Sequence, residues 1–478
     1  MEIVALFMGL AISVWGCYLI RFHSILTGSV FFIVATSVFP PEYAKIDIAG
    51  LSWTVDRVWL GCLAMQFLYD LFRGNVHFRS LKGSDTWLFL FLIWLIARTL
   101  STPLGQEMPG QPATVMHLIN GYLAPAFLYV LIRQSNIPPS ALWTSIAVAL
   151  AFGFYLSVTA FLEITKQWSL VFPSFIGDPK LGIHFGRARG PMLQSVRLGM
   201  YLNFCLALLW AFPVFIFAKE RWAWLLAVTM TPLLMLGILL TYTRSIWMGA
   251  AAVTVILLTT LLQGKARSIA LGSLVVFGAM GGLIIGPNLV AFKREYGEAE
   301  TLESTKMRGA FAYVSWEMIK DRPLTGFGFN QFQVYNRPYL DDRRTNIRLE
   351  SIRGYVNHNS YLSLLVDLGL VGALLFSLAS ITMLRNCWTI WRHPLATAYA
   401  RSSAVVSFCV AAVHAIQMAF HEVSFSSIEY SIALIALGLS QVYCDELTDT
   451  MRDRADSGIA KVARGISARS MQLEQNVA

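Results

Sequence analysis

The chain has 478 residues, of which 56% are hydrophobic and only 14% are charged. Its mean hydropathy is +0.57. Soluble domains carry about 25% charged and about 45–50% apolar residues, so the composition excludes a water-soluble fold of this size. The chain is therefore predicted to be an all-α polytopic integral membrane protein in which each span uses about 20 apolar residues.

The net charge of +9 arises from 37 Lys and Arg against 28 Asp and Glu. Basic residues gather in the cytoplasmic loops of membrane proteins, which explains the excess without a nucleic-acid partner. We therefore expect contact with the lipid bilayer and no binding of nucleic acid. The six cysteines lie in or beside apolar stretches and form no CxxC pattern, so neither a disulfide framework nor a zinc site is predicted.

Apolar runs long enough to cross a bilayer predict about 12–13 transmembrane helices, and the short runs at both ends leave a count of eleven or twelve open. The runs lie near 2–20, 24–40, 56–72, 86–103, 114–132, 141–165, 193–217, 222–242, 245–262, 268–291, 358–384, 402–420 and 425–443. The first run lacks a basic leader and a cleavage motif, so we expect a retained span.

Orientation follows from Lys and Arg in the short loops. One alternating set of loops holds 12 of these residues and the other set holds 5, so the first set is predicted to be cytoplasmic. The resulting organisation places helices 1–10 in 1–292, a large periplasmic loop in 293–357, helices 11–13 in 358–443 and a basic cytoplasmic tail in 444–478.

The predicted periplasmic loop carries 11 Lys and Arg and 9 Asp and Glu. Its apolar residues Met307, Phe311, Val314 and Met318 recur at helical spacing, which predicts an amphipathic helix over 306–320 lying on the membrane surface. Ser304 is the expected cap of that helix. The Asp321-Arg322-Pro323 step should end it, and Gly326–Asn330 should follow as a flexible turn.

Arginines are unexpectedly frequent on the predicted outer face, against the positive-inside tendency. They are Arg187, Arg189, Arg197, Arg244, Arg308 and Arg353. Glu163 and Asp367 are the two carboxylates placed well inside spans, too few to neutralise the set. Guanidinium groups bind phosphate oxygens in a bidentate manner, so a lipid-linked phosphate or pyrophosphate would explain these arginines. The alternative is that they reach lipid headgroups or pair with the acids of the loop.

His358 lies where the outer loop enters the eleventh span, within the stretch Asn357 to Leu362. Asn359 or Ser360 is expected to cap the new helix, and the positive helix N-terminus should keep the imidazole neutral. A neutral imidazole can act as a general base, although a structural role for a polar histidine at an interface is the alternative. His184 is placed near the arginines, where it can contact a sugar. His421 with Glu422 lies at the outer end of the twelfth span, where a helix cap or a surface pair is the expected role and an approach to His358 is the alternative.

Familiar catalytic motifs for other chemistries are absent from the sequence. It contains no P-loop, no HExxH and no Asp-x-Asp in an early outer loop. We therefore expect a site that needs no metal and no cofactor.

Three stretches together resemble the O-antigen ligase and O-antigen polymerase superfamily of bacterial inner-membrane glycosyltransferases. The first is Thr241-Tyr242-Thr243-Arg244-Ser245. The second runs from Arg308 to the Pro323-Leu324-Thr325-Gly326-Phe327-Gly328 stretch. The third is His358-Asn359-Ser360-Tyr361-Leu362 followed by Gly369-Leu370-Val371-Gly372. The resemblance covers about 190–372.

The resemblance implies a glycan donor carried on undecaprenyl pyrophosphate. It implies that Arg244 and Arg308 hold the pyrophosphate and that His358 activates the acceptor hydroxyl. Arg189 falls where the family often has an arginine, and Asn359 and Tyr361 lie in the histidine motif, so all three are predicted to bind substrate. The stretch 191–197 departs from the family pattern, so Arg197 receives no role.

The sequence therefore predicts a metal-independent glycosyltransferase acting at the periplasmic face of a bacterial inner membrane. Its acceptor is either lipid A-core or a growing polysaccharide, and the sequence does not separate ligation from polymerisation. The broad label O-antigen ligase-like is preferred. Alternatives are a transporter or flippase for an anionic solute or lipid-linked sugar, which should show broken half-helices at the midplane, and a scaffold in envelope assembly.

Overall fold

The computed structural model describes residues 24–284 and 298–475, apart from 41–42, 49–50, 75, 77, 82 and 104–112. The predicted first span, 2–20, lies outside the described residues. The main helices are α1 (Ile25–Val38), α2 (Val55–Phe72), α3 (Ser84–Leu100), α4 (Thr114–Gln134), α5 (Pro139–Ile164), α6 (Ser195–Val214), α7 (Arg221–Leu240), α8 (Arg244–Leu261), α9 (Gly264–Ile284), α10 (Glu298–Asp321), α11 (Ser360–Arg392), α12 (Ala398–Phe420) and α13 (Ser427–Gln475).

The predicted all-α membrane fold is confirmed. Every predicted apolar run after the first overlaps one of these helices, and eight helices of the described part, α4–α8 and α11–α13, are long and apolar enough to cross a membrane. α1 is a shorter apolar helix. The described residues add a hairpin to the predicted fold, in which β1 (Lys45–Ile48) pairs antiparallel with β2 (Leu51–Thr54). The total of 12–13 spans stays a prediction.

The helices pack closely where one partner contributes a glycine. A Cβ built on Gly199 of α6 would lie 2.3 Å from the Ile246 side chain of α8. A Cβ on Gly438 of α13 would lie 3.2 Å from the Tyr129 ring of α4. Small residues allow such close approach, which supplies the van der Waals contact that holds membrane helices together. The first of these contacts fixes the beginning of α8.

The two ends of the helix bundle differ in chemistry. α8 and α11 begin and α12 ends at one end, which we call the site end, because contacts between these helix termini join them there. At the opposite end, Arg133 forms ion pairs with Asp85 and Asp445. α13 continues past that end as one helix, so the predicted boundary between span and tail at 444 falls inside a helix.

The helix of the large loop, α10, is longer than expected. It begins at Glu298, so the prediction that Ser304 caps it is wrong: Ser304 lies within the helix. Its end at Asp321 is confirmed. The predicted apolar face is confirmed as well, because Phe311, Val314 and Met318 are buried in one cluster with Ile352 and Val366.

A segment we call the clasp, residues 323–328, follows α10 and binds the backbone of α11. The amides of Phe327 and Gly328 donate to the carbonyl oxygens of Val366 (2.8 Å) and Asp367 (2.9 Å). A third bond has its donor on α11: the amide of Leu370 donates to the Pro323 carbonyl oxygen of the clasp at 2.8 Å. These bonds are possible because α11 is interrupted at Gly369, whose φ is 67°.

The expectation of a flexible turn at Gly326–Asn330 is therefore wrong. Besides the clasp bonds, the Asp367 carboxylate accepts from the Asn330 amide at 2.8 Å, and Phe327, Phe329 and Asn330 are buried. The glycines of this segment allow its backbone to lie close to the backbone of α11, and they do not make the segment mobile. A Cβ on Gly326 would lie 2.5 Å from the Asp367 carbonyl oxygen. The clasp thus fixes α10 against the first turns of α11.

Candidate functional site

Arg244 is the first residue of α8 and lies at the site end. Its side chain is exposed and makes no hydrogen bond or ion pair with the described residues. The turn before it is ordered by its own threonines, since the hydroxyl of Thr243 donates to the carbonyl oxygen of Thr241 at 2.9 Å. The guanidinium is therefore presented by a fixed backbone and is available to a ligand.

Arg308 reaches the same end from α10. Its guanidinium carbon lies 5.6 Å from the centre of the Phe420 ring, at the last residue of α12. Such a cation–π contact stabilises a partly exposed charge by about 0.5–1 kcal/mol and leaves its N–H groups open. Like Arg244, Arg308 has no acidic partner in the part of the chain that the structure describes.

His358 precedes the N-cap residue of α11 and faces α10, where its ring centre lies 5.3 Å from that of Phe311. Desolvation by the surrounding protein and, next, the positive charge of Arg308 lower the pKa of His358 below its ordinary value. Burial and Arg308 thus both favour the neutral ring that was predicted from the helix terminus. An imidazole whose pKa is lowered is unprotonated at neutral pH and can accept a proton.

Asn359 caps α11, as predicted. Its side-chain oxygen accepts from the Leu362 amide at 3.0 Å, and its Nδ2 donates to the carbonyl oxygen of Ala419 at 3.0 Å. The Tyr361 hydroxyl donates to the carbonyl oxygen of Ala415 at 3.1 Å. The predicted binding residues Asn359 and Tyr361 thus join the start of α11 to the end of α12, which orients His358.

Two further histidines are connected to the turn before Arg244, one directly and one through a serine. Nε2 of His421 lies 3.1 Å from the Ser245 hydroxyl. Nδ1 of His184 lies 2.9 Å from the Ser195 hydroxyl, which in turn lies 3.2 Å from the Thr243 hydroxyl. The residues on both sides of Arg244 are therefore each linked to a histidine.

The charges at the site end act on one another. Burial, followed by the positive influence of His184, Arg308, His358 and Arg187, lowers the pKa of His421 to about 3. The carbonyl oxygen of His421 accepts from the Ser360 hydroxyl at 2.9 Å, two residues after His358, so His421 lies at the start of α11. This contact supports the alternative in which His421 approaches His358. A neighbouring carboxylate, Glu422, accepts from Ser360 and Ser424 instead.

Arg189 has a different environment from Arg244 and Arg308. Its side chain is completely buried, and its guanidinium donates to the carbonyl oxygens of Leu181, Ile176 and Asp178. It also pairs with Glu163, whose carboxylate accepts from the Arg189 and Gly190 amides. This geometry favours a structural role for Arg189, and its binding of substrate stays a prediction.

The other outer arginines also have protein contacts. Arg197 pairs with Glu429 at 2.9 Å, and Arg353 pairs with Glu350 at 2.6 Å. The alternative of pairing with local acids therefore holds for Arg353. Among the six predicted arginines, Arg244 and Arg308 remain without a polar protein partner in the described residues.

A small cavity lies beside the first turns of α11. Its lining includes Asn357, Asp367, His117, Glu422 and the ring of Phe329. His117 connects two of its walls, since its ring nitrogens lie 3.1 Å from the Asn330 side chain and 2.6 Å from the Ser424 hydroxyl. No group of three or more His, Cys, Asp or Glu side chains in the described part of the chain is arranged as a metal site.

The sequence reasoning missed the hydroxyl groups that connect the site. Ser195 lies in the stretch that departs from the family pattern, and Ser245 had no role beyond its place in the arginine motif. A small hydroxyl next to an arginine at the start of a span is a weak signal, because such residues also cap helices. Their contacts emerge when α6, α8 and α12 pack together.

Comparison with known families agrees with the motif interpretation. Residues 225–377, about a third of the chain, match a family model described as O-antigen ligase. The matched region contains Arg244, Arg308 and His358, and the predicted resemblance is confirmed there. The match supports an O-antigen ligase-like membrane glycosyltransferase in general. A search of curated proteins finds no relative of this chain.

Proposed function

We propose that the protein transfers a glycan from undecaprenyl pyrophosphate to an acceptor at the periplasmic face of a bacterial inner membrane. The acceptor is lipid A-core or a growing polysaccharide chain. One observation carries the proposal: Arg244 and Arg308, both without an acidic partner among the described residues, share one end of the bundle with the neutral His358.

The two arginines fit a pyrophosphate leaving group. Breaking the bond between the anomeric carbon and the pyrophosphate oxygen leaves negative charge on that oxygen. Fixed positive groups at this place stabilise the transition state more than the ground state, which is the condition for catalysis. Guanidinium forks bind two phosphate oxygens at once and remain charged at every physiological pH. Metal independence is part of the proposal, with the arginines supplying the positive charge.

His358 fits the complementary role of general base. As the acceptor hydroxyl oxygen attacks the anomeric carbon, its proton passes to the unprotonated imidazole, and the electron pair of the broken bond leaves with the pyrophosphate. A well-placed base contributes about 10²–10⁴-fold in rate. Tyr361 and Asn359, through their bonds to the last turns of α12, hold the helix start that carries His358.

The periplasmic location rests on the loop charges. The loops at the end opposite the site hold most of the short-loop Lys and Arg, and these favour the cytoplasmic side. The lipid carrier of the donor then lies in the bilayer beside the helices, while its pyrophosphate and glycan project to the site end. This arrangement supplies both substrates from one side of the membrane.

A reconstituted assay tests the proposal. Purified full-length protein in liposomes receives labelled undecaprenyl pyrophosphate glycan together with lipid A-core, and transfer, chain growth and translocation are scored separately. We expect release of undecaprenyl pyrophosphate with label in a new glycosidic bond. Labelled acceptor identifies a ligase, whereas longer lipid-linked chains identify a polymerase. Translocation of intact donor without bond formation contradicts the proposal and supports the flippase alternative.

A further inference from the structure

His184 is held by a chain of hydrogen bonds whose direction can be determined. The Thr243 hydroxyl has one hydrogen, and it donates that hydrogen to the Thr241 carbonyl oxygen at 2.9 Å. In its contact with Ser195 at 3.2 Å, Thr243 must therefore accept, so the Ser195 hydroxyl donates. Ser195 has then used its own hydrogen, and it accepts from Nδ1 of His184 at 2.9 Å.

This order fixes the tautomer of the imidazole. Nδ1 carries the hydrogen that reaches Ser195, so a neutral His184 has an unprotonated Nε2. Nε2 makes no hydrogen bond with the described residues. A bare nitrogen lone pair repels a phosphate oxygen, whereas a protonated Nε2 donates to it. His184 therefore has to gain a proton before it can bind an anion.

The groups that act on His184 favour its neutral form while the site is empty. Arg187 and Arg189 lie on its own loop, His358 comes from the start of α11, and His421 comes from the end of α12. Burial first, and then Arg187, His358 and Arg189, lower the pKa of His184 to about 4. An arriving anion offsets these positive charges and adds an attraction that favours the protonated form.

We propose that binding of the donor pyrophosphate is coupled to uptake of one proton by Nε2 of His184, which then donates a hydrogen bond to a phosphate oxygen. The proton comes from water, an N–H bond forms, and no other bond changes. The inference rests on the proposed function, because that function supplies the anion. It adds to the site a residue outside the family-matched region 225–377.

Calorimetric binding measures the coupling directly. Full-length protein in lipid nanodiscs is titrated with undecaprenyl pyrophosphate glycan, a pyrophosphate diester with no group that titrates near neutral pH. The acceptor is omitted so that no transfer occurs. Repeating the titration in two buffers of different ionisation enthalpy gives the number of protons taken up. We expect about one proton per donor and, in the pH range where uptake is complete, about a tenfold loss of affinity per pH unit.

Two variants assign the proton to His184. His184→Asn tolerates the positive φ of 64° at this position, keeps a donor toward Ser195 and does not titrate. This variant should abolish the proton uptake and flatten the pH dependence of donor affinity.

Ser195→Ala removes the acceptor that fixes the tautomer, so neutral His184 can place its hydrogen on Nε2. The number of protons taken up on donor binding should then fall, while the affinity for the donor at neutral pH stays unchanged. His393→Asn, at the end of α11 remote from its start, is the matched control and should behave as the wild type.

The outcomes separate the inference from the proposed function. Donor binding by the wild type without proton uptake overturns the inference and leaves the function standing. Uptake that persists in His184→Asn also overturns it, because the proton then belongs to another group. If His184→Asn does not fold, unchanged uptake in Ser195→Ala overturns the inference in its place. Absence of donor binding by the folded wild type contradicts the proposed function itself.

Discussion

Leu324 and Gly369 approach so closely that a Cβ on Gly369 would lie 2.3 Å from the Leu324 carbonyl oxygen. This contact joins the clasp to the interrupted α11. His358 lies just before α11, and Arg308 lies in α10, the helix that precedes the clasp. The contact therefore helps to set the distance between His358 and Arg308. The glycine motifs near the site therefore position the residues that are proposed to be catalytic.

Replacing Gly369 by alanine should disrupt this scaffold. A side chain at a φ of 67° costs about 1–3 kcal/mol, and the clash with the Leu324 backbone adds to that cost. We expect a lower melting temperature and reduced transfer activity. Gly61→Ala is the matched control, because a Cβ there meets no atom within 4 Å. Equal melting temperatures for the two variants would show that the clasp does not need this glycine.

Replacing Arg244 or Arg308 by lysine keeps the charge and removes the guanidinium fork. If the fork binds pyrophosphate in a bidentate manner, turnover should fall by about 10²-fold in each variant while the protein stays folded. Arg353→Lys is the control, since Arg353 pairs with Glu350 on the exposed loop surface. Steady-state transfer assays make the comparison. Wild-type turnover in both site variants would mean that these arginines contact lipid headgroups.

Arg189 should behave as a structural residue. Arg189→Met leaves the buried Glu163 without its partner, which is expected to destabilise the protein by about 3–5 kcal/mol. Adding Glu163→Gln to the same chain should recover part of that loss. Thermal unfolding measures both effects, and the affinity of the folded fraction for donor should stay near normal. A stable Arg189→Met protein with weakened donor binding would instead return Arg189 to the substrate site.

The sidedness of the membrane can be tested by cysteine labelling. In a background without the native cysteines, Arg343→Cys in the large loop should react with an impermeant maleimide in intact spheroplasts. Ser80→Cys, at the opposite end of the bundle, should react after lysis alone. Both positions are at least partly exposed, so access is decided by the membrane. The reverse labelling pattern would place the site in the cytoplasm.

The sequence predicts the helices well because their signal is local. Continuous apolar runs specify spans, and the spacing of Phe311, Val314 and Met318 specifies the buried face of α10. The proposed roles of Arg308 and His358 also follow from the sequence, since each residue lies in a recognisable motif. Their common location follows from alternation of spans, which brings every second loop to the same end.

The features that the sequence does not predict depend on contacts between distant parts of the chain. Gly326 and Gly328 have the composition of a mobile turn, and their fixed conformation depends on backbone partners in α11 that no local pattern reveals. Arg189 resembles the other outer arginines in sequence, and its burial depends on Glu163 and three loop carbonyl groups. Local sequence patterns identify candidate residues, but their accessibility to a ligand depends on tertiary packing.

The most direct test of the account is the single-turnover rate of glycan transfer by His358→Ala, measured at saturating donor across a range of pH. The wild type should lose activity on the acid side as His358 becomes protonated, and this limb should lie below the ordinary histidine pKa of about 6.5, because that pKa is lowered in the folded protein. The variant should bind donor normally, transfer about 10²–10⁴-fold more slowly and lack the acid limb. Full transfer by a variant that keeps the acid limb would contradict the assignment of His358 as the general base.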